Sequence, residues 1–305
     1  MKLSKTVQDI RTNWAIADAK RDEGLTTPDE IMRFDDISYG PYGKDNLLDI
    51  YVNKNVTGIQ PAIVNVHGGG WVYGCKEVYQ FYCMSLALKG FTVVNINYRL
   101  APENRFPAAV EDINMVMHFI DKKGASYHID KKRIVMVGDS AGGQLVSHYA
   151  AILTNPGFAE LFDFTVPDVT VRALGLNCGA YDGKTIANSK VDEFFSEYTG
   201  IINEKPSDDL LRKLDTMSNI TSDFPPSYIM SSETDFLLSE ADPMYRHLLK
   251  LGVPAVKKIY GSKDCPETGH IFHINCKLDE ARKCNDDECD FFRKYVCDIM
   301  GKDFS

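Results

Sequence analysis

The sequence predicts an α/β fold, a mostly parallel central sheet flanked by helices. Three observations carry this. Strand-like and helix-like stretches alternate along most of the chain. Two strand-like stretches, 61–66 and 133–137, are short, mostly apolar and run into glycines, as the inner strands of a parallel sheet do. One of them, residues 133–137, runs straight into Gly138-Asp139-Ser140-Ala141-Gly142, a glycine-flanked turn that opens a helical run.

Taken in order, residues 1 to about 33 read as helical and amphipathic. Thr27-Pro28-Asp29-Glu30 has the form of a helix start, with Thr as N-cap and Pro in the first turn. This segment precedes every strand signal, so 1–33 is expected to form a lid or an edge helix. Residues 47–52 and 61–66 predict strands, the second running into His67-Gly68-Gly69-Gly70-Trp71. A helix follows over 78–89, closed by Gly90, then a strand over 91–96 and a helix over 108–123 ended by Gly124. Beyond the helix at 143–153, strands are expected at 173–177, 227–231 and 255–260. Helices are expected at 241–251 and 279–300. Residues 182–222 are polar and irregular, and a lid insertion is expected there. With no repeat and no low-complexity linker, 1–305 reads as a single domain.

Composition narrows the function classes. The 305 residues, 44% hydrophobic and 25% charged, suffice for one large domain with a substantial core. A formal net charge of -9 argues against nucleic acid as a partner, because phosphate binding needs a clustered basic surface. Residues 1–10 hold no apolar run, and no stretch approaches transmembrane length, so a cytoplasmic protein without membrane partners is expected. In a reducing compartment the 8 cysteines are expected as free thiols. The spacing of Cys284 and Cys289 is not that of common zinc sites, and no second Cys or His pair accompanies them, so no metal site is expected.

The chemistry is read from four places. Gly138-Asp139-Ser140-Ala141-Gly142 fits G-x-S-x-G between a strand and a helix. That turn projects the Ser140 hydroxyl at a helix N-terminus, where backbone N–H groups favour developing negative charge. The His67–Trp71 loop can present unhindered N–H groups to a tetrahedral oxyanion, with Gly69, Gly70 and Ala141 as the expected donors. His67 precedes the serine and reads as a hydrogen-bonder that orients the loop, since the order for this chemistry is Ser, acid, His. Asp235, in the loop after the strand at 227–231, is the expected acid. Glu233 reads as a solvated carboxylate, and Asp242 and Asp264 are weaker alternatives. His148 lies too close behind the nucleophile, and His247 falls within a helix. The base is therefore His270 or His273, in the loop after the last strand. Trp71, Tyr73 and residues of the N-terminal segment are candidates to line the acyl or alcohol pocket.

His67-Gly68-Gly69-Gly70-Trp71, residues 97–103 (Asn-Tyr-Arg-Leu-Ala-Pro-Glu), residues 106–112 and the Ser140 turn together resemble the hormone-sensitive-lipase-like branch of the α/β-hydrolases. The resemblance runs from about Ile37 to Phe272. It implies the α/β-hydrolase fold, esterase activity on short acyl esters, no cofactor, and a lid built partly from the N-terminus. It places the acid in Asp235-Phe236-Leu237 and favours His270, in His270-Ile271-Phe272, over His273. Ile271 stands where the family carries glycine, and the polar stretch 261–267 looks inserted. This variant loop also resembles esterases that act on acetylated sugars. The implied partner is a small-molecule ester; self-association into a homo-oligomer is left open. An amidase or peptidase with the same triad, and a non-catalytic ligand-binding relative, are the competing readings.

Overall fold

The computed structural model describes residues 3–183, 193–201 and 205–297. Eight strands form one sheet: β1 (Ile31–Ser38), β2 (Leu47–Asn53), β3 (Gln60–Val66), β4 (Thr92–Ile96), β5 (Ile129–Asp139), β6 (Val171–Asn177), β7 (Ser227–Ser232) and β8 (Ala255–Tyr260). Their order is β1-β2-β4-β3-β5-β6-β7-β8. β1 and β2 pair antiparallel, as do β2 and β4, and the other pairs are parallel. The longer helices are α1 (Lys5–Asp22), α2 (Lys76–Ala87), α3 (Ala108–Lys123), α4 (Ala141–Thr154), α5 (Leu238–Lys250) and α6 (Asp279–Val296).

The inner strands follow the sequence reading because their residues are buried on both faces. Ala62, Ile63 and Val64 of β3 and Ile134, Val135 and Met136 of β5 are fully buried, so both faces need apolar side chains. Two apolar clusters result, one on each face of the sheet. From β3 the chain turns to β4 on one side, and β5 lies on the other. The loops leaving β3 and β5 therefore part at a switch in strand order, where open α/β sheets hold their ligands.

The N-terminal segment departs from expectation. Only Lys5–Asp22 is helical, and Thr27-Pro28-Asp29-Glu30 starts no helix. Pro28 accepts the Ile31 N–H at 3.0 Å in a turn, and the chain enters β1, which pairs with β2 from Ile31↔Asn53 onward. That pairing with a distant strand overrides the local capping signal. Nor is α1 an apolar-faced helix, since only Val7 and Ile10 of its residues are buried. Polar tethers hold it. Arg11 donates to the Val72 and Ala101 carbonyls at 2.8 and 3.0 Å and pairs with Glu103, and Arg21 donates to the Val78 carbonyl at 2.7 Å.

Within 182–222, residues 184–192 and 202–204 lie outside the described residues. The rest is less irregular than its polarity implied, with short helices at Glu193–Thr199, Asp208–Leu214 and Thr216–Asn219. The closing helix ends at Val296, and the expected last residues 298–300 also lie outside the described set. The 8 cysteines are unpaired, Cys284 and Cys289 both being buried on α6. No helix among the described residues is long and apolar enough to cross a membrane.

Candidate active site

Ser140 sits between β5 and α4 with φ 53° and ψ -120°, a backbone conformation that costs a non-glycine residue about 1–3 kcal/mol. Packing enforces it. A Cβ on Gly142 would lie 2.1 Å from the Val66 carbonyl oxygen, and one on Gly138 would lie 2.4 Å from the Gly142 oxygen. Glycine at both positions lets the end of β3 close onto the turn, and the Ser140 N–H is satisfied by the Asn177 carbonyl at 2.9 Å.

The loop after β3 doubles back tightly. Gly69 has φ 114°, and an added Cβ would lie 2.1 Å from the Tyr73 carbonyl oxygen. The motif residues of 97–112 brace it from below. The Tyr98 hydroxyl donates to the His67 carbonyl at 2.9 Å and its ring stacks on His67 at 4.2 Å, while Arg99 is held by Asp112 at 2.8 Å. Burial pulls the His67 imidazole down to about 4, so it is neutral, with Nδ1 beside the Gly68 carbonyl at 2.7 Å. The Gly68 N–H donates to the Tyr79 hydroxyl at 3.0 Å. By contrast, the N–H groups of Gly69, Gly70 and Ala141 meet no acceptor among the described residues, and all three residues line the same cavity as Ser140.

Asp235 and His270 are brought together. His270 Nδ1 lies 2.7 Å from Asp235 Oδ1, which also accepts the Leu237 N–H at 2.9 Å; Oδ2 accepts the Ser231 hydroxyl at 2.7 Å. Burial works to raise the Asp235 carboxyl. The hydrogen bond and positive field of His270, with the Leu237 and Ser231 donors, outweigh it and hold the carboxyl below its usual range. The loops carrying Asp235 and His270 are stitched together, Ser232 donating to Gly269 and Thr234 to Thr268, each at 3.3 Å. Ile271, in the family's glycine position, takes φ 55° and ψ 26°; the left-handed turn is present and a β-branched residue makes it.

The other candidates separate from this pair. His273 is buried edge-on to Tyr82 at 5.2 Å, and burial pulls it down to about 3. His148 contacts the Thr216 hydroxyl at 2.7 Å inside the core. Glu233 and Asp264 are exposed, and Asp242 pairs with Lys257 and Arg246. The Cys178 thiol joins Asp235 and His270 in the one group of metal-type donors among the described residues, within 4.8 Å of one another. Asp235 Oδ1 there already faces His270.

Ser140 and His270 line one cavity of about 500 Å³. Trp71 and Tyr73 also line it, though Trp71 is largely core: its N–H donates to Gln144 at 3.2 Å and its ring stacks on Tyr198 at 5.0 Å. The N-terminal segment does reach the wall as expected, through Trp14, Ala17 and Asp18 of α1, but sequence reading singled out none of these as lining residues, nor Phe194, Phe236 and Tyr79, which line it too. No spacing signal marks them individually. They reach the cavity only because of where α1 and the loops dock.

Residues 48–243, more than half of the chain, match the BD-FAE family. The chain belongs to the BD-FAE family. Its resemblance to the hormone-sensitive-lipase-like α/β-hydrolases holds. This BD-FAE chain is similar to the Mycobacterium tuberculosis protein named probable carboxylic ester hydrolase LipM, with 30% identity covering 67% of this chain and 48% of that one. It is similar to carboxylesterase NlhH of the same organism, with 27% identity covering 69% of each. The chain spans about half the length of the first curated relatives it matches, 48% to 57%. Among solved structures, an esterase B from Lactobacillus rhamnosis, inhibited by a tributyrin phosphonate, superposes with TM-score 0.88 and 21% identity over 96% of this chain and 95% of that one. That likeness shows the α/β-hydrolase fold.

Proposed function

We propose that this BD-FAE protein is a serine carboxylesterase that hydrolyses short-chain acyl esters through an acyl-enzyme, acetyl groups on sugars being within its range. One observation carries the reading. Ser140, His270 and the three unengaged N–H groups of Gly69, Gly70 and Ala141 line a single cavity, with Asp235 2.7 Å behind His270.

In this mechanism the Ser140 hydroxyl attacks the ester carbonyl while His270 Nε2 takes its proton. Asp235 holds Nδ1–H and stabilises the imidazolium. The oxyanion is held by the N–H groups of Gly69, Gly70 and Ala141. Collapse expels the alcohol, protonated by His270. Water, deprotonated by His270, then attacks the acyl-enzyme and releases the carboxylic acid. Residues 1–33 and 182–222 are proposed as the lid segments; the cavity positions of Trp14, Asp18 and Phe194 support this.

The test is p-nitrophenyl acetate with wild type and Ser140→Ala. Wild type should turn over and be labelled by a fluorophosphonate, while Ser140→Ala should lose at least about a thousandfold in kcat and take no label. Wild type without turnover or labelling would leave a non-catalytic binding protein.

A further inference from the structure

Trp14, Ala17 and Asp18 lie on one face of α1, spaced three and four apart, and all three line the cavity. Asp18 is the one carboxylate among the described lining residues. It is firmly placed. Oδ1 accepts from Arg21 at 2.6 Å and Oδ2 accepts from the Tyr73 hydroxyl at 2.6 Å, and the side chain keeps 19% of its surface open. An ionised carboxylate offers about four acceptor positions, and these bonds use two.

We propose that Asp18 is a specificity-determining residue that accepts a hydrogen bond from a hydroxyl on the alcohol part of the ester, so that the site selects hydroxyl-bearing esters over apolar ones. This rests on the esterase reading of the same site. A short acyl group has no hydroxyl to give, so the donor belongs to the alcohol. The rest of the wall is mainly apolar, formed by residues such as Val78, Phe194 and Ile274. There a carboxylate is costly to desolvate, and burial does push the Asp18 carboxyl upward against its Tyr73 and Arg21 partners. A pocket for purely apolar alcohols gains nothing from it. The charge of Arg21, already on Asp18 and Asp22, favours a neutral hydroxyl over an ammonium group. Trp14, 38% exposed, and Phe236, 73% exposed, add apolar surface for the carbon skeleton of a polyol.

The experiment compares kcat/KM for glycerol monoacetate and propyl acetate, of equal alcohol chain length with and without hydroxyls. The variants are Asp18→Asn and Tyr73→Phe, each checked for folding by circular dichroism and thermal unfolding. Wild type should prefer glycerol monoacetate by about ten- to a hundredfold. Asp18→Asn should lower that ratio at least about fivefold, since a neutral acceptor holds a hydroxyl more weakly. Tyr73→Phe removes the same tether from α1 but leaves the carboxylate, so it should lower the ratio less than Asp18→Asn does. A wild type without preference, or an unchanged ratio in Asp18→Asn, would overturn the proposal. So would equal loss in both variants, which would assign Asp18 to anchoring α1. Acetylcholine preferred over both esters would assign a cation subsite instead. Wild-type turnover of p-nitrophenyl acetate without preference sinks this proposal alone, whereas no turnover of any ester sinks the esterase reading with it.

Discussion

The Tyr79 hydroxyl donates to the buried Asp139 carboxylate at 2.8 Å while accepting the Gly68 N–H at 3.0 Å. One side chain of α2 thus ties the loop after β3 to the residue before Ser140. A Cβ on Gly68 would lie 2.4 Å from Asp139 Oδ2, so loop and carboxylate are in direct contact.

Tyr79→Phe removes this tie without changing the ring. The Gly68 N–H and the Asp139 carboxylate each lose a partner in the interior, which should cost about 1–3 kcal/mol of stability. If the tie also sets the proposed oxyanion donors, kcat should fall about tenfold with KM little changed. Urea unfolding and steady-state kinetics on one ester check the two effects separately.

Stability should depend on pH through two buried carboxyls. Burial pushes Asp139 up to about 6, against the pull of Tyr79 and His270, and pushes Glu288 of α6 up to about 7, against the pull of Asn177. The unfolded chain releases these protons near 3.8 and 4.5. Between those values and the folded ones, the folded state keeps protons the unfolded state has lost, so stability falls as pH rises from about 4 to about 7. Glu288→Gln keeps an acceptor for the Asn177 amide, 3.0 Å away, and removes the ionisation. It should be more stable than wild type by about 1–3 kcal/mol at pH 8 and equal to it at pH 4. An equal gain at both pH values would rule out the carboxyl as the cause.

The two loop histidines should separate cleanly. His270→Ala removes the partner of Asp235 and should lower kcat by about a thousandfold or more. His273→Ala should instead leave kcat within about threefold and cost about 2–4 kcal/mol, as a fully buried ring replaced by a cavity does. Inactivation by His273→Ala with its fold intact would reassign the base.

Arg11→Ala should free α1 while leaving the sheet intact. Three acceptors lose their donor, but the Glu103 pair is partly exposed, so the global cost should be near 1 kcal/mol. The larger effect should be local, with faster limited proteolysis within residues 5–22. Unchanged proteolysis would mean that the Arg21 and Asp18 tethers suffice.

What could be read from the sequence follows from what burial demands. The inner strands and the Ser140 turn were legible because both faces of β3 and β5 need apolar residues, and because Gly138 and Gly142 stand where no Cβ fits. β1 was not legible. It is a half-buried edge strand carrying Arg33, Asp35 and Asp36, and the Thr27-Pro28-Asp29-Glu30 turn before it has the composition of a helix cap. Asp18 was not legible either, because tethers far apart in sequence fix which face of α1 meets the cavity. Ile271 was visible as a departure from the family pattern; that it still makes the left-handed turn needed the backbone itself.

Because α1 contributes only Val7 and Ile10 to the buried core and is otherwise held by polar tethers, the wall it presents depends little on how the core is packed. Substitutions at Trp14 or Ala17 leave those tethers in place and stand apart from the packing under Ser140. A lineage holding this frame constant can therefore reshape the cavity wall by redecorating one helix, and a protein engineer can follow the same route.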